Sequence, residues 1–455
     1  MHQPESSSDQ KYQTLIKRLK HSDKTPSKTR EIVPTKTPPS SPTDSEHLKS
    51  LPPPHASKPI DPGVNTLPYY HGIVSRTDAE SALRKNGDFL VRKTERKDGE
   101  LMLALIVRWN KDVKHYVIDR TQDQNSWYYV EPERTFDNVH DMVTWYNKMA
   151  QPVSGCKEGP YLKQPISRPE WQLNRDQIEL HEVLGIGAFG EVYRGVLRLT
   201  AQSGAHLITD TDNAGVLFCA VKMLSQNKDH PVTVKEREDF LKEAEILRAW
   251  RHPNIIELYG VCVQERPVLI VLEYAPGGAL DKYLQQTNAD TLTVKQRCTF
   301  AHDVASGMAF LEDRQCIHRD IAARNCLVGK NNEVKISDFG LTGSRFAGIR
   351  DTSKKMPIKW LAPECLTSGT YSHKSDVWAF GILLWEIFSD GSIPYPGLDN
   401  SKVRELVVRD NYRMEPPGIM PSSVSMLMRS CWHEAPELRP TFRQIKKTLH
   451  TLIKD

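Results

Sequence analysis

Two groups of residues in this chain have the types and spacing to handle phosphate. The first centres on Arg92, in the run Gly87-Asp88-Phe89-Leu90-Val91-Arg92. In a strand, Leu90 and Arg92 share one face and Phe89 and Val91 the other. A guanidinium among apolar neighbours needs an anion, because an unpaired buried charge is expensive. Alone, Arg92 reads as half of a structural salt bridge; Arg76, Thr94 and His115 give it company. The second group begins at Leu184-Gly185-Ile186-Gly187-Ala188-Phe189-Gly190-Glu191-Val192. Glycines there let backbone approach a phosphate without a Cβ clash. A dinucleotide site requires a helix next, whereas Val192–Val196 reads as strand. Lys222 follows in Ala220-Val221-Lys222, and Glu243 lies 21 residues beyond it. A Lys–Glu pair there would hold Lys222 against nucleotide phosphates. Then come His318-Arg319-Asp320-Ile321-Ala322-Ala323-Arg324-Asn325, Asp338-Phe339-Gly340 and Ala362-Pro363-Glu364. Each tripeptide alone arises by chance; all of them in this order do not. Asn325 and Asp338 offer hard oxygens of the kind that suits Mg²⁺.

These residues need elements to hold them. Residues 69–165 read as one small α+β domain. A helix starts near Ser75 to Thr77, where Thr77-x-x-Glu80 fits a capping box. Strands are expected at Asp88–Lys93, Leu101–Trp109 and Lys114–Asp119. A second helix carries Phe136, Val139, Met142, Val143 and Tyr146 at helical spacing. Residues 166–176 read as linker. Residues 177–452 form a larger unit, strand-rich to about Tyr274 and interrupted by a helix over Glu236–Trp250. Its remainder is helical. Cys298, Ala301, Val304, Ala305, Met308 and Leu311 make one stripe, and Trp378–Phe388 is apolar nearly all round, as in a helix buried on every side.

Residues 1–66 read as a disordered, basic, Pro/Ser/Thr-rich tail. The first 60 residues hold ten Pro, sixteen Ser or Thr and one aromatic, Tyr12, too little apolar surface to offset the entropy of ordering. They also carry 10 Lys/Arg against 6 Asp/Glu, the whole of the chain's net +4 over 455 residues. The body is neutral, so a nucleic-acid-binding role is not expected. Pro39–Pro42 and Pro52–Pro54 are candidate polyproline ligands for SH3 or WW modules. The eight cysteines form no C-x-x-C pair, which disfavours a zinc site, and with no secretory segment they are expected as free thiols. Apolar runs such as Val268–Leu272 are too short to cross a bilayer. A cytoplasmic protein is expected.

The smaller domain resembles a Src-homology-2 (SH2) domain through Tyr70-His71-Gly72, Arg76, Phe89-Leu90-Val91-Arg92 and His115-Tyr116. The resemblance implies an antiparallel sheet flanked by two helices. It also implies a phosphotyrosine site in which Arg92 grips the phosphate with both prongs, Arg76 bridges phosphate and ring, Thr94 donates a hydroxyl and His115 lines the wall. A phosphotyrosine carries roughly −1.5 to −2 charges and three acceptor oxygens, which a planar guanidinium matches two at a time.

The larger unit resembles a protein kinase over 177–452. Asp376-Val377-Trp378, Cys431-Trp432 and Arg439-Pro440 add to the motifs above. The resemblance implies a bilobal fold binding ATP with Mg²⁺, Mn²⁺ being the alternative ion. Gly185, Gly187 and Gly190 would cover the phosphates and Lys222 would position them against Glu243. Leu184, Val192, Ala220 and Leu327 would sandwich adenine, the Glu273–Ala275 backbone would meet its edge, and Leu272 would limit the depth of the pocket. Asn325 and Asp338 would hold metal, with Asp320 and Arg324 at the substrate hydroxyl. Glu364 and Arg439 would form a buried structural pair. Tyrosine as acceptor is implied by Ala322, where serine/threonine kinases carry Lys, by Arg324, and by Pro357-Ile358-Lys359-Trp360.

The linker Trp171-Gln172-Leu173-Asn174 and the domain order resemble the Fes/Fer non-receptor tyrosine kinases, and small nematode-type members most in size. Residues 1–66 cannot encode the membrane-curving F-BAR domain that larger members carry. Resemblance to Fes also suggests that the SH2 domain favours the active position of the helix around Glu243. Two features depart from the pattern. The connection around Thr200–Gly215 is long, and Leu341–Leu361 holds no tyrosine, with Gly343 where Arg is common. Activation is therefore expected not to need a phosphotyrosine in that loop, with Thr352, Ser353 or Asp351 as substitutes. The competing reading is a non-catalytic phosphotyrosine adaptor; it is disfavoured because every catalytic position holds a competent residue.

Overall fold

The computed structural model describes residues 63–95, 101–121, 127–153, 158–187, 190–200, 215–224, 232–288, 291–344 and 356–454. The tail, the 200–215 connection for the most part, Ala188-Phe189 and 345–355 lie outside the described residues, so the expectations about them receive no structural account.

A five-stranded sheet forms the smaller body, in the order β4-β3-β2-β1-β5. Its strands are β1 (Asp88–Glu95), β2 (Leu101–Trp109), β3 (Asp112–Arg120), β4 (Tyr128–Tyr129) and β5 (Gln164–Pro165), antiparallel except for β5 on β1. Helix α1 (Arg76–Ala82) covers one face and α2 (Val139–Lys148) the other. Alternation along β1 divides the core as expected: Phe89 and Val91 pack with α2, Leu90 with Ala79 and Leu83 at α1.

Three local expectations need correction. The cap of α1 is Ser75, whose hydroxyl accepts from Asp78 N–H at 3.0 Å; Thr77 and Glu80 lie inside the helix and form no capping box. Ser75 wins because its side chain reaches the N3 amide of the helix that Arg76 begins. Phe136 precedes α2, bridging to Tyr128 and packing on Trp145 and Tyr146. Val64–Thr66, expected at the end of the tail, form a 3-10 turn with Val64 buried in the core.

The larger body opens with a second sheet in the order β6-β7-β8-β10-β9. These are β6 (Ile178–Gly187), β7 (Gly190–Arg198), β8 (Val216–Leu224), β9 (Leu258–Cys262) and β10 (Leu269–Glu273). Helix α3 (Val234–Arg248) leaves a Thr233–Glu236 capping box and packs on β9. Below it lie α4 (Leu280–Gln286), α5 (Val294–Asp313), α6 (Pro363–Ser368), α7 (His373–Phe388), α8 (Asn400–Val408), α9 (Ser422–Cys431) and α10 (Phe442–Lys454). Every residue of α7 from Ser375 to Phe388 is buried, as its all-round apolar sequence requires. The expected stripe of α5, Cys298 through Leu311, is buried as well. Arg439, fully enclosed, grips Glu364 with two parallel bonds of 2.6 and 2.9 Å, as the resemblance implied. The seven cysteines among the described residues are buried free thiols. No helix of the described residues is long and apolar enough to cross a membrane.

The two bodies touch along one seam. Ile73 N–H donates to Val263 O at 2.6 Å, and Tyr70 Oη and Lys93 Nζ both donate to Gln264 O at 2.9 Å. Gly72 makes the approach possible: its φ is +68°, and a Cβ would collide with the Val263 carbonyl. Beside this seam Glu95, at the end of β1, receives Arg237 of α3 at 2.7 Å and Arg266 at 3.1 Å. The linker joins in, with Leu173 N–H donating to Val261 O and Arg248 of α3 lying 4.7 Å from the Trp171 ring.

Candidate active site and phosphate pocket

Between the second sheet and the helical part lies a cleft that gathers the second group of residues. Lys222, on the central strand β8, reaches Glu243 of α3 at 2.6 Å and Asp338 at 3.7 Å. Burial alone would lower the Lys222 pKa; Glu243 and Asp338 outweigh it and hold the ammonium above the ordinary lysine range. Glu243 is 2 % exposed, so this ion pair is shielded from water. The β6–β7 hairpin roofs the cleft. Gly187 pairs with Gly190, whose φ of +148° is rarely open to an L side chain. Register places Val192 beside Lys222, and Ala220 beside Leu272 of β10. Val192, Ala220 and Leu327 are partly buried and Leu184 is exposed. Glu273 N–H is taken by Glu257 O, and Ala275 O accepts from Gly278 N–H.

The catalytic-loop residues converge below. Asp376 of α7 accepts from the His318 and Arg319 amides at 2.8 and 2.9 Å, fixing a turn in which Arg319 has φ +72°. Burial pushes the Asp376 carboxyl up to about 7, against those two bonds. Asp320 accepts from Arg324 at 2.5 Å, and its carbonyl accepts from Asn325 Nδ2 at 2.8 Å. That second bond orients the Asn325 amide. Asp338 keeps an accessible carboxylate with a backbone φ of +61°. Phe339 after it is buried against His318 and Trp250, with ring centroids at 4.9 and 5.9 Å.

One residue beside the site, Glu386, escaped the sequence reading. Arg324 lies 4.2 Å from the Trp360 ring, and Trp360 Nε1 donates to Glu386, which also accepts from Ala323 N–H, each at 3.0 Å. Glu386 thus ties the catalytic loop to the segment before α6. The signal was the lone carboxylate in the otherwise apolar run Trp378–Phe388, since buried acids are rare unless partnered. Burial raises the Glu386 carboxyl to about 7, opposed by the Trp360 and Ala323 bonds. A folded-state value above the unfolded one stabilises at low pH and is lost as pH rises through about 7. The melting-temperature advantage of the wild type over Glu386→Gln is therefore expected to shrink between pH 5 and 8; an advantage constant with pH would contradict it.

The first group also comes together. Register sets Arg92 opposite Ala104 and Val117, and His115 opposite Ile106 and Leu90, so both side chains share the face that α1 covers. Arg92 is 9 % exposed; Nη1 donates to Val74 O at 3.0 Å, while its buried Nε has no partner among the described residues. Arg76 begins α1 above it, 69 % exposed along its side chain, and Thr94 lies two residues past Arg92 on the same face. Glu80, one turn along α1, joins Arg76 at 2.6 Å and His115 at 2.9 Å.

A sheet-and-two-helix body carrying the Arg92 cluster, joined to a larger body carrying the Lys222 and Asp320 clusters, is the architecture of an SH2-bearing protein kinase. The profile described as "Protein tyrosine and serine/threonine kinase" matches residues 178–449, and that described as "SH2 domain" matches 69–146. The chain belongs to the protein tyrosine kinases that carry an SH2 domain. It is similar to Fer-related kinase 1 of Caenorhabditis elegans, 37 % identical over 85 % of this chain and 94 % of that one. It is 41 % identical to tyrosine-protein kinase Fer of Homo sapiens, over 85 % of this chain but only 44 % of Fer. The transforming protein Fps of an avian sarcoma virus is 37 % identical, over 88 % of this chain and 70 % of that one. The protein is a tyrosine kinase of this SH2-containing type, and its family uses ATP with a divalent metal, phosphotyrosine-bearing partners and protein substrates.

Proposed function

We propose that this kinase is held in a catalytically assembled state by its own SH2 domain. The observation that carries the reading is the 2.6 Å Lys222–Glu243 pair, made by the same helix that receives Glu95 across the seam. Lys222 binds the α- and β-phosphates of ATP, under the Gly185, Gly187 and Gly190 hairpin. Leu184, Val192, Ala220 and Leu327 sandwich adenine, Glu273 and Ala275 meet its edge, and Leu272 closes the back. Among the described residues no group of three or more His, Cys, Asp or Glu could hold a metal alone. Asn325 and Asp338 supply two hard oxygens, which suits Mg²⁺ shared with nucleotide phosphates and water; Mn²⁺ is the alternative. Such an ion supplies charge neutralisation at the γ-phosphate. Asp320 accepts or orients the tyrosine hydroxyl proton, and Arg324 steadies Asp320 from the substrate side. Arg92, Arg76, Thr94 and His115 take a phosphotyrosine, which brings the kinase to proteins already phosphorylated, including membrane-associated complexes reached from the cytoplasm. The Pro-rich tail serves as an SH3 or WW ligand.

The test is phosphorylation of a tyrosine peptide by the full chain, with and without a phosphotyrosyl peptide, in wild type and Arg92→Ala. Activity that responds to the phosphopeptide only in the wild type supports the reading. Activity unaltered by both refutes the link between the domains.

The seam gives its own prediction. Glu95→Gln leaves Arg237 and Arg266 facing each other without the carboxylate they share. Loss of one partner of a shielded charge pair is costly, so kcat is expected to fall about fivefold to tenfold. Adding Arg237→Gln removes the repulsion, and the double variant is expected to recover part of the loss. Losses that simply multiply in kinetic assays of the three variants would count against the coupling.

A further inference from the structure

The pocket around Arg92 already contains an anion. Glu80 Oε1 accepts from Arg76 Nε at 2.6 Å and lies 2.9 Å from His115 Nε2, so a single carboxylate oxygen holds two of the four residues assigned to the phosphate. The i, i+4 spacing of Arg76 and Glu80 on α1 makes this possible. The Arg76 bond holds the Glu80 carboxyl below the ordinary carboxylate range. His115 is kept below the usual imidazole range mainly by burial, with Arg76 and Arg92 adding to it and Glu80 opposing. At neutral pH the pocket thus holds two guanidinium charges and one carboxylate. Glu80 also acts electrostatically on Arg92, whose buried Nε has no partner among the described residues.

We propose that Glu80 is a resident competitor for the phosphate, so that a phosphotyrosine must displace its carboxylate from Arg76 and His115 before it can seat on Arg92. This rests on the reading of the pocket as a phosphotyrosine site. The chemistry favours competition over support. A carboxylate that stayed beside a bound phosphate would repel it, whereas Arg76 and His115 are donors that both anions want. Displacement is feasible, because the Glu80 side chain is 35 % exposed and sits on the water-facing edge of a short helix. The ion pair given up is solvent-exposed and correspondingly weak, so the effect is a reduction of affinity rather than a block. Glu80 therefore raises the threshold for binding. Ligands that offer only part of the phosphate's charge gain less from displacing it than a full dianion does.

The experiment is calorimetric titration of the full chain with phenyl phosphate, which fills the pocket without peptide contacts. It compares wild type, Glu80→Gln, Glu80→Ala and Arg92→Ala, each checked for folding by circular dichroism. Both Glu80 variants are expected to bind about threefold to tenfold more tightly than wild type, and Arg92→Ala to lose binding. Glu80 variants that bind as wild type or more weakly, with Arg92→Ala still inactive, overturn the competitor role and leave the phosphotyrosine site standing. Binding that survives Arg92→Ala, or no binding in any form, overturns the site itself and the competitor role with it.

Discussion

Asp320→Asn is expected to lower kcat for tyrosine phosphorylation by about 10²- to 10⁴-fold, the range a positioned proton acceptor supplies. Its affinity for magnesium nucleotide should stay near that of the wild type. The split follows from how the loop is built. Asn325 is oriented by the backbone carbonyl of Asp320, not by its side chain, so the substitution leaves the amide oxygen of Asn325 where it was. The loop itself is fixed by Asp376 through the His318 and Arg319 amides, which Asp320→Asn does not touch. What changes is the carboxylate that faces Arg324 at 2.5 Å: Asn keeps the shape, loses the charge and cannot accept a proton. Steady-state kinetics on a tyrosine peptide together with calorimetric nucleotide binding read the two quantities separately. A fall in kcat of less than tenfold would remove Asp320 from the proton-handling role. An equal loss of nucleotide affinity would show that the side chain supports the loop instead.

The contacts around Lys222 and Asp320 were legible because phosphate chemistry imposes residue types at fixed chain distances. Lys222 to Glu243 and Asp320 to Asn325 are spacings within a single strand–helix or loop unit, and the structure closes both. Alternation along β1 was legible for the same reason, since a pleated strand sends Leu90 and Arg92 to one side whatever packs there. Contacts that depend on how separately folded parts meet were not legible. Glu95 and Arg237 lie 142 residues apart, and nothing local marks either as one half of a seam. Glu386 was hidden differently: its neighbours made α7 look uniformly apolar, and the two donors that justify a buried carboxylate, Ala323 and Trp360, come from other segments. At Glu80 the sequence offered a local role, a capping box with Thr77, and the fold gave the side chain a different one. Ser75 took the cap, which turned Glu80 toward Arg76 and His115. A motif with several possible partners is decided by which donor lies closest once the chain has folded.

Lys222→Met is expected to do two kinds of damage that a second substitution can separate. Activity should fall by at least 10²-fold, because the cation that pairs with the nucleotide phosphates is gone. Stability should fall as well, by about 3–5 kcal/mol, because Glu243 stays buried without its partner and Asp338 adds like charge nearby. Glu243 is 2 % exposed and cannot turn to water without moving α3. Adding Glu243→Gln removes the stranded charge. The double variant is expected to regain most of the lost thermal stability and none of the activity, since a neutral pair packs in the same space but holds no phosphate. The comparison requires melting temperature and peptide phosphorylation for the wild type, both single variants and the double variant. If Lys222→Met melted like the wild type, the pair would not be closed in solution, and the seam at Glu95 could not be holding α3 in the position described. If Glu243→Gln alone kept full activity, Lys222 would need no carboxylate to hold it, and the helix would be free to move without consequence for phosphate transfer.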